Sequence, residues 1–274
     1  MAERDQPTVA LVGAGVMGEA VLGSLVAAVG AERVTVTDGR EEHGRAVAQR
    51  HGVRWAAGNA EAAAGSDVVV LAVKPKDVPG VCADLGQTLS PDALVVSVAA
   101  GITTADLARR LPAGTRVVRV MPNTPATIGR GIAALSAGGA AQQRDLDLVA
   151  GLLAGTGETV QVPEAQQDVV TAVSGSGPAY VFYLLEAMRD AGVAGGLEPE
   201  LALRLARHTV AGAAELALAS DQDPTVLRER VTSPGGTTLA AITELDERGV
   251  RDAVGHAVRK AWERAAELGR TDPS

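Results

Sequence analysis

At 274 residues the chain is long enough for one large domain or two ordinary ones, with a sizeable buried core. Its formal net charge of −8 argues against a general nucleic-acid binder, which needs clustered Lys and Arg to displace phosphate counterions. Cys82 is the single cysteine, which excludes an intramolecular disulfide or a thiolate metal cluster and suits a reducing cytoplasm, and no metal site is expected. With aromatic residues at 2%, Ala, Val and Leu must fill the core, and a ligand is held by backbone groups and hydroxyls rather than by stacked rings.

The opening "MAERDQPTVALVG" carries charges and then a strand-length apolar run, without the apolar core of a signal peptide, and no later run is long enough to span a bilayer. From Thr8 to about Val162, short Val-rich runs alternate with helical stretches: "TVALVG", "RVTVTD", "SDVVVLAVKP", "ALVVSVAAG", "TRVVRVMP", "GIAAL" and "ETVQVP". Continuous β-branched runs of this length suit strands buried on both faces, joined by crossover helices, so the expected fold is α/β: a doubly wound parallel sheet of the Rossmann type. After Pro163 the pattern turns wholly helical, with polar or Pro starts and Gly ends, down to a terminal "TDPS" expected to fray. The expected division is therefore residues 1–162, a dinucleotide-binding domain, and 163–274, a helical substrate-binding and dimerisation domain. The stretch Leu201 to Ala219 is apolar over a wide arc, more than a small helical domain hides alone, which predicts a homodimer joined through these helices.

The run Val12, Gly13, Ala14, Gly15, Val16, Met17, Gly18 lies between a predicted strand and a predicted helix. Gly13 permits the tight turn, Gly15 lets a pyrophosphate approach the backbone, and Gly18 lets the helix pack closely on the sheet. A second strand follows and ends at Asp38, the spacing of a ribose-binding acid. The residues give mixed instructions on which dinucleotide binds: Asp38 suits a 2′-hydroxyl, whereas Thr37 and Arg40 suit a 2′-phosphate, and Arg40 is equally well read as a solvated charge at a helix start. Two later strand ends fall on the ligand side of such a sheet: Ala72, Val73, Lys74 and Pro75, and then Val98, Ala99 and Ala100. Lys74 is either near the nicotinamide or pyrophosphate, or a surface charge. At a third strand end, Asn123 and Thr124 either serve the nicotinamide carboxamide or close a Pro-bounded turn.

Near the C-terminus, Thr232, Ser233, Pro234, Gly235, Gly236, Thr237 and Thr238 precede an apolar run. Hydroxyls and glycines at a helix start either cap it or leave its free N–H groups open to a small anion. Taken in order, "VGAGVMG", "AVKP", "MPNTP", "SGSGPAY" and "VTSPGGTT", the last followed by "LAAITELDERG", resemble the pyrroline-5-carboxylate reductase family, the last enzyme of proline biosynthesis. The resemblance runs from about Val9 to Leu268. It implies reduction of the cyclic imine pyrroline-5-carboxylate to L-proline by NADPH or NADH, a Rossmann domain followed by a helical dimerisation domain, and dimers that often assemble into rings. The cofactor set it implies includes Asn59 beside the residues named above.

On that resemblance the last stretch holds a small carboxylate. Ser233 caps the helix, Pro234 fits its first turn, Gly235 and Gly236 clear the approach, and the N–H groups of Gly236, Thr237 and Thr238 take the anion with the helix dipole. The Thr238 hydroxyl matches the family position that hydrogen-bonds the ring nitrogen and is the expected catalytic group. Ser174 and Ser176 line the substrate pocket by resemblance. Glu164 and Asp221 match acidic positions near the substrate, Asp221 being one methylene shorter than the Glu found there. No His-Asp pair or carboxylate dyad accompanies these motifs, and reduction of a protonated imine needs none. Two rivals remain at this level: a dehydrogenase of the 3-hydroxyacid or 6-phosphogluconate type, which would want a Lys or other base in a motif of the helical part, and a non-catalytic NAD(P)-binding regulator, which would have no use for "VTSPGGTT".

Overall fold

Alternating Val-rich runs and helices become a single eight-stranded sheet with its crossovers. The computed structural model describes residues 6–270, so the expected fraying of "TDPS" concerns residues outside that range. In chain order the first elements are β1 (Val9–Val12), α1 (Val16–Val29), β2 (Val34–Thr37), α2 (Glu41–His51), β3 (Arg54–Trp55), α3 (Asn59–Ala63), β4 (Val68–Leu71), α4 (Val78–Leu85), β5 (Leu94–Ser97) and α5 (Thr104–Arg110). There follow β6 (Arg116–Met121), β7 (Gly131–Ala137), α6 (Gln143–Leu153), β8 (Gly157–Gln161), α7 (Gln167–Val170), α8 (Gly177–Ala194), α9 (Pro199–Leu218), α10 (Pro224–Arg230), α11 (Thr237–Glu247) and α12 (Val250–Arg270).

The strand order is β3-β2-β1-β4-β5-β6-β7-β8. From β3 to β6 every pairing is parallel, with Leu11 in register with Val36 on one side and Val70 on the other. This is the Rossmann order, whose reversal between β1 and β4 opens a crevice at the carboxyl ends of the strands. β1, β2, β4 and β5 are buried along their whole length, because helices cover both faces. Leu11 packs with Val21, Leu22 and Leu25 of α1 on one face, while Ala10 and Val12 pack with Leu71, Val81 and Leu85 on the other.

The sheet departs from the all-parallel expectation at one pairing: β7 runs antiparallel to β6, with Val120 opposite Leu135. Residues 122–130 form only a short helical turn, too little chain for a crossover helix, so the strand must fold straight back. β8 then pairs parallel to β7, with α6 as the connection. β3, two residues long, carries no apolar run and was not anticipated.

The chain divides into two compact units, one of residues up to Ser176 together with those from Ala261 onward, the other Gly177–Lys260. The second is helical throughout. Within it α8 packs closely on α9, where a Cβ on Gly192 would lie 3.1 Å from the Ala202 Cβ. Among the described residues of this unit only Ala202 and Ala206 are buried hydrophobics, while Phe182, Tyr183, Leu184, Leu205 and Leu216 stay exposed. A helical unit with so small an interior of its own must bury these faces elsewhere. No helix among the described residues is long and apolar enough to cross a membrane.

Candidate active site

The glycine loop joins β1 to α1, and the surroundings of its three glycines explain its sequence. Gly13 sits at φ +97°, where L side chains are strained, and donates its N–H to the Thr37 carbonyl at 2.8 Å. A Cβ on Gly18 would lie 2.1 Å from the Gly13 carbonyl oxygen, so α1 can pack against the loop only with glycine there. A Cβ on Gly15 would meet nothing within 4 Å. That open space, together with a helix start at Gly15 that no side chain caps, leaves first-turn N–H groups facing a vacant approach. These features fit a dinucleotide pyrophosphate.

Two hollows flank the loop. The smaller, about 260 Å³, is lined by Gly15, Val16, Met17 and Ala72, by Val73 and Lys74, and by Val98, Ala99 and Ala100, all residues expected on the cofactor side. The larger, about 470 Å³, includes Val12, Gly13, Asp38 and Asn59. The Asn59 amide donates to Asp84 at 2.8 Å on its rim. Pro75 opens the short helical turn that follows β4, and Lys74 precedes it with an exposed side chain.

Asp38, the acid expected at the ribose, holds the loop itself. Its Oδ2 accepts the Ala14 N–H at 2.8 Å, and its Oδ1 accepts the Arg40 backbone N–H at 2.9 Å and Nε at 3.3 Å. Burial pushes the Asp38 carboxyl up, but those donors and the Arg40 guanidinium outweigh it and hold the group below its ordinary value. Thr37 is 2% exposed, so of the two residues expected to greet a 2′-phosphate only Arg40 has a side chain in the open. His43, which carried no sequence signal, places Nε2 2.7 Å from the Ala14 carbonyl oxygen. At the far end of α2, Arg50 and His51 both reach Glu19 of α1.

Beyond β6, the Asn123 Oδ1 accepts the Ile132 N–H at 3.0 Å, which closes the Pro-bounded turn, and Thr124 begins the turn that follows. Glu164 accepts the Thr104 N–H at 2.7 Å and the Thr104 hydroxyl, and it lies 3.4 Å from Arg119, whose side chain is 4% exposed. Its carboxylate is thus engaged with α5 and β6. Asp168 completes the pairing of Arg119 at 3.7 Å. Residues Thr171–Gly175 form a π-helical turn, an irregularity often found at functional sites, and the Ser176 N–H closes it on the Thr171 carbonyl at 2.8 Å. The Ser174 hydroxyl donates back to the Val170 carbonyl at 3.0 Å. A Cβ on Gly175 would lie 2.5 Å from the Met121 methyl, so this turn sits directly on the end of β6.

In the second unit, Asp221 is exposed in the loop before α10, and Asp223 caps that helix by accepting the Thr225 N–H at 2.8 Å. The stretch 232–238 corrects the expected cap. Ser233 does not cap α11: Pro234 and Gly235 occupy the centre of a tight turn, Gly235 is at φ +70°, and the Gly236 N–H donates to the Ser233 carbonyl at 3.1 Å. Pro at the second and glycine at the third position is the pattern of a type II turn. The helix starts later, with Gly236 at its N-cap and no side chain on its first N–H groups. The Gly236 N–H is spent in the turn, so the open donors are those of Thr237, Thr238 and Leu239. Of the two ends weighed for this stretch, capping by a side chain does not occur.

A Rossmann sheet with an open glycine loop and a separate helical unit defines a dinucleotide-dependent oxidoreductase. The family model for pyrroline-5-carboxylate reductase dimerisation matches residues 164–268, and that for NADP oxidoreductase, coenzyme F420-dependent, matches residues 8–101. The chain is 43% identical to the pyrroline-5-carboxylate reductase of Pseudomonas aeruginosa, over 96% of this chain and 97% of that one, and 40% identical to the Corynebacterium melassecola enzyme, over 96% and 99%. Among solved structures, the Coxiella burnetii pyrroline-5-carboxylate reductase superposes with a TM-score of 0.91 at 35% identity, covering 97% of this chain and all of that one. The Plasmodium falciparum enzyme, solved with NADP bound, gives 0.84 at 28% identity, covering 96% and 98%. The chain belongs to the pyrroline-5-carboxylate reductase family and carries its homodimerisation domain.

Proposed function

We infer that the protein reduces the C=N bond of 1-pyrroline-5-carboxylate to L-proline with NAD(P)H, the last step of proline biosynthesis. The observation that carries the site reading is the uncapped start of α11. A two-glycine turn leaves the N–H groups of Thr237, Thr238 and Leu239 without a side-chain partner, at the end of a helix dipole that favours a carboxylate. A dehydrogenase acting on a hydroxyl would want a Lys or other base in a motif of the helical part, and a non-catalytic regulator has no need of this arrangement.

The cofactor, when bound, supplies a hydride to the imine carbon. The chain's own task is to place and polarise. Gly13, Gly15 and Gly18 shape the loop for the pyrophosphate, with Val12, Ala14, Val16 and Met17 completing it. Asp38 and Arg40 meet the adenosine ribose, and Asn59 lines the same hollow. Ala72, Val73, Lys74 and Pro75, with Val98 to Ala100, form the wall of the smaller hollow, and Asn123 and Thr124 follow at the end of β6. On the substrate side the α11 start takes the carboxylate, and the Thr238 hydroxyl oxygen accepts the N–H of the protonated ring nitrogen. Hydride addition to carbon then leaves a secondary amine, and no protein acid has to complete the step. Ser174 and Ser176 are substrate-side residues in this reading, as is Asp221, whereas Glu164 acts by holding Thr104 and Arg119.

By function the chain divides into residues 1–162, which bind the dinucleotide, and 163–274, which bind substrate and dimerise; the dimers assemble further into a ring, in the cytoplasm. NADPH and NADH are both used. The test is direct: purified protein must oxidise NADPH or NADH with pyrroline-5-carboxylate and fail with hydroxyacids or keto acids. A folded sample inert with both cofactors overturns the reading.

A further inference from the structure

Both backbone groups of Ala14 are held, its N–H in the peptide unit before it and its C=O in the unit after it. Asp38 takes its N–H at 2.8 Å, and His43 Nε2 lies 2.7 Å from its carbonyl oxygen. A carbonyl has no proton to give, so Nε2 must carry the hydrogen and donate it. The described chain has no cis peptide bonds, and in a trans peptide the C=O and the following N–H point in opposite directions. Drawing the Ala14 carbonyl towards α2 therefore turns the Gly15 N–H away from α2. Gly15 lines the 260 Å³ hollow, and space beyond its Cα is empty to 4 Å. His43 stands in the first turn of α2, whose other end is tied to α1 through Arg50 and His51 on Glu19. The imidazole thus sits on a helix fixed to the same element that the glycine loop opens.

We propose that His43 is a positioning residue for the dinucleotide: by holding the Ala14 carbonyl it presents the Gly15 N–H to the pyrophosphate. The inference rests on the reading that the cofactor lies along the glycine loop. Its mechanism is orientation of one backbone donor before the ligand arrives, which spares the loop that ordering cost on binding.

The test combines a spectrum and two variants. Nitrogen-15 NMR of the cofactor-free protein at alkaline pH, where imidazoles are neutral, must show His43 as the Nε2–H tautomer. NADPH binding, read by quenching of protein fluorescence or by calorimetry, must weaken about threefold to tenfold in His43→Met, the loss expected for one net hydrogen bond. The KM for the imine and kcat at saturating cofactor must stay at wild-type values, and His43→Gln, which keeps an amide donor, must recover most of the affinity. A wild-type NADPH affinity in His43→Met, an equal loss in both variants, or the Nδ1–H tautomer each overturns the proposal. If His43→Met does not fold, the tautomer and the His43→Gln affinity decide. A wild-type protein that does not bind NADPH sinks the cofactor reading itself, which separates the two failures.

Discussion

Asp38 Oδ2 accepts the Ala14 N–H at 2.8 Å, so the acid that follows β2 is a fastener of the glycine loop, whatever part it has in the proposed ribose contact. Both Asp38 oxygens are already engaged, and Arg40 is drawn onto one of them. Replacement by Ser removes the repulsion of a 2′-phosphate and frees Arg40, and it also loosens the loop. Asp38→Ser is therefore expected to weaken binding of both cofactors while shifting the ratio of kcat/KM values towards NADPH. Steady-state kinetics with each cofactor checks this, and an unchanged ratio would show that Asp38 does not face the ribose.

The same carboxylate predicts an acid limb of stability. Burial raises the Asp38 and Glu19 carboxyls, but Arg40 and Ala14 in one case and His51 and Arg50 in the other pull them below their ordinary values of 3.8 and 4.5. A group depressed in the folded state stabilises above its unfolded value and loses that contribution as pH falls through the folded one. Melting temperature should be level above about pH 5.5 and decline as pH drops below the ordinary carboxylate range. Glu19→Gln and Asp38→Asn should each melt earlier at neutral pH and show a shallower acid decline. A parallel decline in wild type and variants removes these groups as the cause.

Two glycines of one loop should fail in different ways. A Cβ at Gly18 meets the Gly13 carbonyl at 2.1 Å, whereas one at Gly15 meets nothing within 4 Å. Gly18→Ala must push α1 away from the loop, which places it among overpacking changes of about 1–3 kcal/mol. Gly15→Ala should keep a wild-type melting temperature, since Gly15 is at φ −68°, and should lose cofactor affinity because the methyl stands where the pyrophosphate approaches. Differential scanning calorimetry paired with NADPH titration separates them. Full NADPH affinity in Gly15→Ala would place the pyrophosphate elsewhere.

The parts of this molecule that were legible in advance are those written in local chemistry. The strands β1, β2, β4 and β5 announce themselves because burial on both faces demands uninterrupted Val and Leu. The glycine loop is readable because strand, turn and helix follow one another in a single short segment. The antiparallel return of β7 is written only in the shortness of residues 122–130, which apolar periodicity ignores. His43 escaped because its partner is a backbone carbonyl, to which no residue type corresponds. Glu164 pairs with Thr104 and Arg119 only once the sheet is assembled, so its sequence neighbours say nothing of its role. Ser233 illustrates the limit of residue preference: it is a favoured capping type, yet Pro234 and Gly235 form a turn that moves the helix start beyond its reach.

That displacement sets the last prediction, which contrasts three positions before and inside α11. Ser233 contributes its carbonyl to the turn and no side-chain cap, so Ser233→Ala should leave the melting temperature nearly unchanged, within the roughly 0.5 kcal/mol typical of surface substitutions. Gly235 is held at φ +70°, so Gly235→Ala must cost stability, on the order of 1 kcal/mol, by straining the turn. Thr238 is half-buried in the first turn, and removing its hydroxyl leaves every backbone donor in place. If that hydroxyl receives the ring N–H, Thr238→Ala forfeits one hydrogen bond, worth about 1 kcal/mol or up to about 3 if charge-assisted, which is several-fold to a hundredfold in kcat/KM. The three variants therefore differ in kind: one silent in melting, one structural, one kinetic. Wild-type kcat/KM with an earlier melt in Thr238→Ala would make the residue a structural part of the helix start and leave the imine nitrogen without its proposed partner.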